Sequence, residues 1–205
     1  MIKGVIFDLF NTLAKSQCPE EKLKKRLNLN LDFLNLQKLV CAQKYENWAD
    51  YVGNILKGVN RPLTAENREI VAQVFEEDSA RFEFFKEAMP ILKTLKAKGL
   101  RLGLISNIAN PKLDFIRGTD KEQLFDSIVY SYELGAVKPE PLLFTECLSE
   151  LGLEPQTVLM VGDSLPADIY PAERLGLKTV LIDREYQHPE IVNRISSLKK
   201  IINFV

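Results

Sequence analysis

Polar side chains that could do chemistry follow four apolar stretches along the chain. Asp8 comes directly after the apolar run 5–7, and Thr12 lies four residues further on. The later stretches are followed by hydroxyl, amide, ammonium and carboxylate groups, at Ser106, Asn107, Lys138, Asp163, Ser164 and Asp168. If the stretches are strands of one parallel sheet, their carboxyl ends meet at a single edge, where open α/β sheets bind ligands. We therefore expect these side chains to form one site.

The chemistry of such a site follows from its charges. Three carboxylates in one place repel one another, and Lys138 alone cannot neutralise them. A divalent cation would do so, and hard oxygen ligands with room for water suit Mg²⁺. Such an ion, with Lys138, Ser106 and Thr12, could bind the oxygens of a phosphoryl group while one carboxylate faces the phosphorus. Taken singly, each residue also has an ordinary structural explanation, such as a surface charge or a helix cap, but the ordered set favours a site.

Alternating strands and helices are predicted to position these groups. Apolar runs and Gly or Pro breaks predict strands at 5–7, 100–105, 127–131, 158–161 and 179–182. Helices are predicted at 91–97, from Pro111 through Leu113 and Ile116, and at 141–151, 167–175 and 197–204. Strands separated by helices predict a parallel sheet with right-handed crossovers and helices on both faces.

Residues 15–85 differ from the rest of the chain in their sequence pattern, because they contain no strand-like run. We predict a short charged helix at 19–27, a long helix from about Asp32 to Leu56, and a third helix capped by Thr64. Apolar stripes on the last two should pack against other helices. The sequence therefore predicts two parts, a core of residues 1–14 and 86–205 and an inserted helical cap of residues 15–85, hinged over the site.

Composition restricts the classes of ligand, the kinds of cysteine site and the cellular location that we expect for this chain. The 205 residues are 46% hydrophobic and 27% charged, and 27 basic residues face 28 acidic ones. This balance gives no general attraction for nucleic acid or anionic lipid. Cys18, Cys41 and Cys147 are too dispersed for a disulfide framework or a zinc site. Since no signal-peptide pattern or membrane-length apolar run is present, we expect a cytoplasmic protein.

Four stretches resemble the motifs of the haloacid dehalogenase-like (HAD) hydrolases. They are Asp8-Leu-Phe-Asn-Thr12, Leu104-Ile-Ser-Asn107, Val137-Lys-Pro-Glu140 and Val161-Gly-Asp-Ser-Leu-Pro-Ala-Asp168. The likeness covers the whole core, and the 15–85 insertion resembles the helical cap that follows the first motif in this family. The resemblance implies an α/β fold, with a Rossmann-like parallel sheet, and a Mg²⁺-dependent phosphatase for a small phosphorylated metabolite.

The resemblance also implies a role for each motif residue. Asp8 would be the nucleophile, forming an aspartyl-phosphate intermediate. Thr12, Ser106 and Lys138 would hold the phosphoryl oxygens, with Asn107 in the same phosphate-binding group. Asp8, the backbone carbonyl of Phe10 and Asp163 would bind Mg²⁺, with Asp168 in support.

Phe10 departs from the family pattern. HAD phosphatases usually carry a second aspartate at this position, two residues after the nucleophile, as general acid and base. Phenylalanine has no proton to give, and such a group contributes about 10²–10⁴-fold in rate. We therefore expect weak activity, restriction to good leaving groups, or a replacement group from the cap.

Two other functions stay open. Metal-independent 2-haloacid dehalogenases of the same superfamily also have an aromatic residue two positions after the nucleophile, but Asp163 beside Asp8 would repel a haloacid carboxylate. A weakly catalytic homologue that binds a phosphorylated ligand or a protein partner would also fit Phe10. Any of five cap residues could line the cleft or face water: Glu20, Arg26, Lys44, Tyr45 and Trp48.

Overall fold

A six-stranded parallel sheet forms the centre of the chain in the computed structural model, which describes residues 1–16, 18–109, 116 and 118–205. The strands are β1 (Gly4–Asp8), β2 (Arg101–Ser106), β3 (Ser127–Tyr130), β4 (Val158–Gly162), β5 (Lys178–Ile182) and β6 (Arg194–Ile195). Their order across the sheet is β3-β2-β1-β4-β5-β6, and every neighbouring pair is parallel. The order reverses between β1 and β4, which is where doubly wound sheets open a ligand crevice.

Helices cover both faces of the sheet. The helices of this part are α5 (Ala88–Ala97), α6 (Ser131–Leu134), α7 (Pro141–Leu151) and α8 (Tyr170–Arg174), with 3-10 turns at Glu122–Leu124, Pro155–Thr157 and Leu198–Phe204. Val5 and Phe7 pack in the apolar cluster that includes α5, whereas Ile6 packs in the cluster that includes α7. Successive side chains of a strand point to opposite faces, so β1 is buried on both. The predicted α/β class with a Rossmann-like sheet is confirmed.

Four further helices lie between β1 and α5. They are α1 (Pro19–Arg26), α2 (Phe33–Cys41), α3 (Trp48–Gly58) and α4 (Ala65–Ala80). Their buried side chains form a separate apolar cluster, which also contains Ala109 and Val137 from loops at the carboxyl edge of the sheet. The four helices therefore pack against one another and rest on the edge where the motif residues lie.

Thr64 was predicted to be the N-cap residue of the third helix within residues 15–85, and this is confirmed. Its side chain accepts a hydrogen bond from the Asn67 N–H at 3.2 Å, at the start of α4. The single long helix predicted from Asp32 to Leu56 is wrong, because α2 ends at Cys41 and α3 begins only at Trp48. The Asn47 side chain caps the new helix by accepting from the Asp50 N–H at 3.0 Å.

Other boundaries differ less. Each predicted strand ends within one residue of the observed strand, but β6 was not predicted, since it has only two residues. The segment predicted as helix 167–175 begins as a π-helix, Leu165–Ile169, and the terminal helix is 3-10 in form. The helix predicted from Pro111 falls outside the described residues for most of its length. Among the residues that are described, no helix combines the length and apolar character needed to cross a membrane.

Candidate active site

Asp8 is the last residue of β1, at the carboxyl edge of the central strand. Pairing with the strand on each side fixes the position of Asp8: Asp8 pairs with Ile105 of β2, and Phe7 pairs with Val161 of β4. Beyond Asp8 the chain turns sharply, because the amides of Leu13 and Ala14 both donate to the Leu9 carbonyl at 2.9 Å. This turn buries Thr12 directly after the strand.

Lys138 connects two of the carboxylates. Its Nζ lies 2.6 Å from Asp8 Oδ1 and 2.6 Å from Asp168 Oδ1. All three side chains are almost fully buried, with exposed fractions of 3% for Lys138, 8% for Asp8 and 1% for Asp168. Charge-assisted hydrogen bonds in such surroundings are strong and directional, so Lys138 holds one oxygen of each carboxylate in a fixed place.

Asn107 holds the backbone of Lys138. Its Oδ1 accepts from the Lys138 N–H at 2.8 Å, and its Nδ2 donates to the Lys138 carbonyl at 3.1 Å. The same Nδ2 donates to Oε1 of Gln37, on α2, at 2.9 Å. The side chain expected to bind phosphate is thus engaged with the lysine segment and with one of the inserted helices.

Asp163 completes a group of three carboxylates. One oxygen from each of Asp8, Asp163 and Asp168 lies within 4.8 Å of the others. Asp168 is oriented by the Ser164 N–H, which donates to its Oδ2 at 3.1 Å. Gly162 is needed here because a Cβ at this position would collide with the Asp168 side chain.

Burial and mutual repulsion shift the pKa values of these groups. Burial raises the pKa of Asp8 from 3.8 to about 6, although the Lys138 ammonium opposes the change. Burial, followed by the charges of Asp8 and Asp168, raises the pKa of Asp163 from 3.8 to about 8. Burial also disfavours the charge on Lys138, but the two carboxylates that it contacts outweigh this and raise its pKa above the ordinary 10.5. One ammonium therefore leaves the carboxylate group with excess negative charge.

Four buried side-chain polar atoms have no hydrogen-bond partner among the described residues: Tyr51 OH lies in the inserted helix α3, and the other three, Asp8 Oδ2, Thr12 Oγ1 and Ser106 Oγ, lie at this edge of the sheet. The three at the edge bear on the chemistry of the site. Unsatisfied buried groups are uncommon and call for a ligand, ion or water. Two of these atoms are hydroxyls able to donate, and the third is an acceptor in a group of carboxylates. The set matches the needs of a phosphoryl group and a hard cation, which supports a fit for Mg²⁺.

A cavity of about 230 Å³ connects this site to the inserted helices. Asp8, Lys138, Asp163 and the other edge residues line one side, and α1, α2 and α4 supply the other. Phe10 lies on the cavity wall with its ring edge-on to that of Phe82, at a centroid distance of 6.2 Å. The aromatic side chain therefore occupies the wall near the nucleophile.

Among the described lining residues, Glu20 is the single acidic side chain from 15–85. It is buried, and the donors to its two oxygens among the described residues are thiols, Cys41 at 3.5 Å and Cys18 at 3.8 Å. Sequence reasoning left Glu20 undecided among five candidates, because helical periodicity does not tell which polar face turns toward a cavity. It missed Gln37 altogether.

The chain is similar in sequence and fold to known proteins. A family model described as haloacid dehalogenase-like hydrolase matches residues 2–176. A relative from Methanocaldococcus jannaschii, named glyceraldehyde 3-phosphate phosphatase, is 28% identical over 98% of this chain and 100% of its own length.

Two solved structures show the same fold. One is a HAD family enzyme from Bacteroides thetaiotaomicron in complex with magnesium and inorganic phosphate, with a TM-score of 0.64, 20% identity and coverage of 89% of this chain and 95% of that one. The other is a 2-haloacid dehalogenase from Pseudomonas syringae, with a TM-score of 0.65, 19% identity and coverage of 99% and 97%. Because the neighbours include a dehalogenase, the fold alone does not choose the reaction.

Proposed function

The chain belongs to the haloacid dehalogenase-like hydrolases, and we propose that it is a Mg²⁺-dependent phosphatase acting on a small phosphorylated metabolite. One observation carries the proposal: Asp8 has one oxygen held by Lys138 and the other unpartnered among the described residues, beside two more carboxylates. A nucleophile prepared in this way matches acyl-phosphate chemistry. The name of the M. jannaschii relative supports the same substrate class.

Asp8 would carry the covalent step. A carboxylate oxygen attacks phosphorus, the bond between phosphorus and the leaving oxygen breaks, and that oxygen departs with the electron pair and takes a proton from solvent water. Water then displaces the carboxylate from phosphorus, which releases inorganic phosphate and restores Asp8. Lys138 would orient Asp8 and face the negative charge of the transferred group.

Two hydroxyls and the acidic group would supply the remaining contacts. Thr12 and Ser106 would donate to the phosphoryl oxygens, which would satisfy their unpartnered atoms. Asp8, Asp163 and the Phe10 carbonyl would hold Mg²⁺, with Asp168 in support. When bound, the ion would neutralise charge on the phosphoryl oxygens.

We assign recognition of the leaving group to residues 15–85, acting as a cap. Glu20 is the acidic side chain on this wall, and thiols are weak donors to a carboxylate. A hydroxyl or ammonium on the leaving group would bind it better. This favours phosphate esters of polar metabolites over those of apolar alcohols.

The carboxylate group also bears on the dehalogenase alternative. A 2-haloacid brings its own carboxylate to the site, where the charge of Asp168, joined by that of Asp163 once the pH exceeds its raised pKa of about 8, would repel it. A phosphoryl group repels them too, but it arrives with a divalent cation that offsets both charges. The observed group of three carboxylates therefore favours phosphoryl chemistry.

One panel of assays tests the proposal. Hydrolysis of an aryl phosphate and of a 2-haloacid is measured with Mg²⁺ and with EDTA, for the wild type and for Asp8→Asn. We expect phosphate release that needs Mg²⁺ and is lost in Asp8→Asn. Asp120→Asn is the matched control, since Asp120 is 90% exposed and pairs only with the neighbouring Lys121 among the ion pairs of the described residues.

The other outcomes contradict the proposal. Halide release that is insensitive to EDTA would identify a dehalogenase. Saturable binding of phosphate or vanadate with neither activity would identify a binding homologue.

A further inference from the structure

Arg184 reaches from the loop after β5 to the turn that follows the nucleophile. Its Nη2 donates to the Thr12 carbonyl at 2.9 Å, and its Nε donates to the Asn11 carbonyl at 3.3 Å. None of the four motif stretches contains this residue. Its side chain is 21% exposed, so these bonds are shielded from much of the solvent.

The same guanidinium also contacts the segment that returns from the inserted helices. Its Nη1 lies 2.7 Å from Glu87 Oε1, and its Cζ lies over the Phe85 ring, 3.6 Å from the ring centroid. The Phe85 N–H in turn donates to the Leu13 carbonyl at 2.9 Å. Arg184 thus joins three segments: the loop after β5, the turn after Asp8 and the start of α5.

The backbone of this turn contains one left-handed residue. Asn11 has a φ of 60°, a conformation that residues other than glycine seldom adopt and that asparagine adopts more readily than most. Its carbonyl and the next are the two that Arg184 binds. A residue held in this conformation persists when its surroundings over-determine it.

We propose that Arg184 is a positioning residue for the catalytic turn, which sets the backbone of Thr12 and, through it, the approach of substrate to Asp8. The inference rests on the proposed function for its kinetic consequence, but its structural basis stands on these contacts alone. The Thr12 hydroxyl is buried without a hydrogen-bond partner among the described residues, so no such bond holds it in place independently of its own backbone. A displacement of about 1 Å in such a group can cost about 100-fold in rate.

The geometry requires arginine in particular. A planar guanidinium can donate to two carbonyls and a carboxylate while it stacks on a ring, whereas a lysine ammonium is a point charge that cannot stack in this way. We therefore expect Arg184→Lys to keep the charge and to lose the positioning.

The test compares Arg184→Lys and Arg184→Ala with Arg194→Ala. Arg194 is a matched control from the same region, because it pairs with Asp183 at 3.4 Å and lies over the Tyr186 ring at 5.3 Å, with no recorded contact to the turn among the described residues. Amide hydrogen exchange is followed at Leu13 and Ala14, whose N–H groups both bind the Leu9 carbonyl. Hydrolysis of an aryl phosphate with Mg²⁺ is measured on the same preparations.

We expect exchange at these two amides to become at least tenfold faster in both Arg184 variants and to stay unchanged in Arg194→Ala. We expect kcat to fall about 100-fold in Arg184→Ala and to recover in part when guanidinium chloride is added at millimolar concentration. Arg194→Ala should keep its kcat and should not respond to guanidinium.

Unchanged exchange at Leu13 and Ala14 in both Arg184 variants would overturn the inference. So would a rate that falls only in proportion to the unfolded fraction measured by circular dichroism. If the wild type hydrolyses no phosphate ester, the proposed function fails, and the exchange data still decide the role of Arg184.

Discussion

Replacing Asp163 by asparagine should stabilise the protein in the absence of metal. The substitution keeps the size of the side chain and removes one of three crowded carboxylates. Folding raises the pKa of Asp163 from 3.8 to about 8, and each pKa unit corresponds to 1.36 kcal/mol. At pH 9 the whole pKa shift corresponds to a loss of about 6 kcal/mol in the free energy of unfolding of the wild type. Asp163 is partly exposed, and solvent screening reduces this loss to about 2 kcal/mol.

The sign of the pH dependence follows from the same shift. Because the folded pKa lies above the unfolded value, the native state binds more protons than the unfolded state between pH 3.8 and about 8. The free energy of unfolding of the wild type in EDTA should therefore fall as the pH rises through this window. Asp8, with its pKa raised to about 6, adds to the fall in the lower part of the range.

Thermal unfolding at pH 5, 7 and 9 in EDTA measures the effect. At pH 9 we expect Asp163→Asn to melt about 4–8 °C above the wild type, with a smaller difference at pH 5. In the wild type, Mg²⁺ should raise Tm, and it should raise Tm less in Asp163→Asn. The reasoning is refuted if Asp163→Asn melts below the wild type at pH 9 in EDTA, or if the stability of the wild type rises with pH relative to the variant. Asp120→Asn controls for the loss of an exposed charge.

Three further substitutions test individual roles. Lys138→Ala should weaken vanadate binding by about 10- to 100-fold, because a charge that faces the transferred group is lost; unaltered affinity by calorimetry would remove Lys138 from the site. Phe10→Asp should raise turnover of alkyl phosphates, which have poor leaving groups, by about 100-fold, since it restores a proton donor beside Asp8; a folded variant without a gain would contradict this explanation of Phe10. Glu20→Gln should lower kcat/KM about tenfold for esters whose leaving group bears an ammonium, while aryl phosphates change little; equal losses on both would argue against recognition by Glu20.

The sequence was informative wherever a strand carries its functional residue at its own end. Asp8 could be placed because an apolar run buried on both faces precedes it, and parallel pairing then leaves little choice about which edge it occupies. Ser106 could be placed in the same way at the end of β2. Local pattern and sheet topology point to the same place in both cases.

Contacts between distant segments could not be predicted. Arg184 lies outside the motifs, and its bonds to Asn11 and Thr12 span more than 170 positions of the chain. The helical pattern of α1 allows Glu20 to face either water or the cavity, and only the packing of α1 against its neighbours determines which of the two it faces. The sequence does not reveal the break between α2 and α3, because Cys41, Tyr45 and Trp48 keep helical spacing across it, and that spacing does not show that α2 ends at Cys41 and that Asn47 caps a new helix.

The Asn107 amide sets a condition for replacing the inserted helices α1–α4 by those of another protein. Its Nδ2 donates both to Gln37 Oε1 on α2 and to the Lys138 carbonyl, so one amide group connects the inserted helices to the lysine segment of the core. Replacement helices that lack an acceptor at position 37 would leave this amide nitrogen with one hydrogen bond where it now makes two. Grafts should therefore be chosen by the chemistry of that position first and by the shape of the new pocket second.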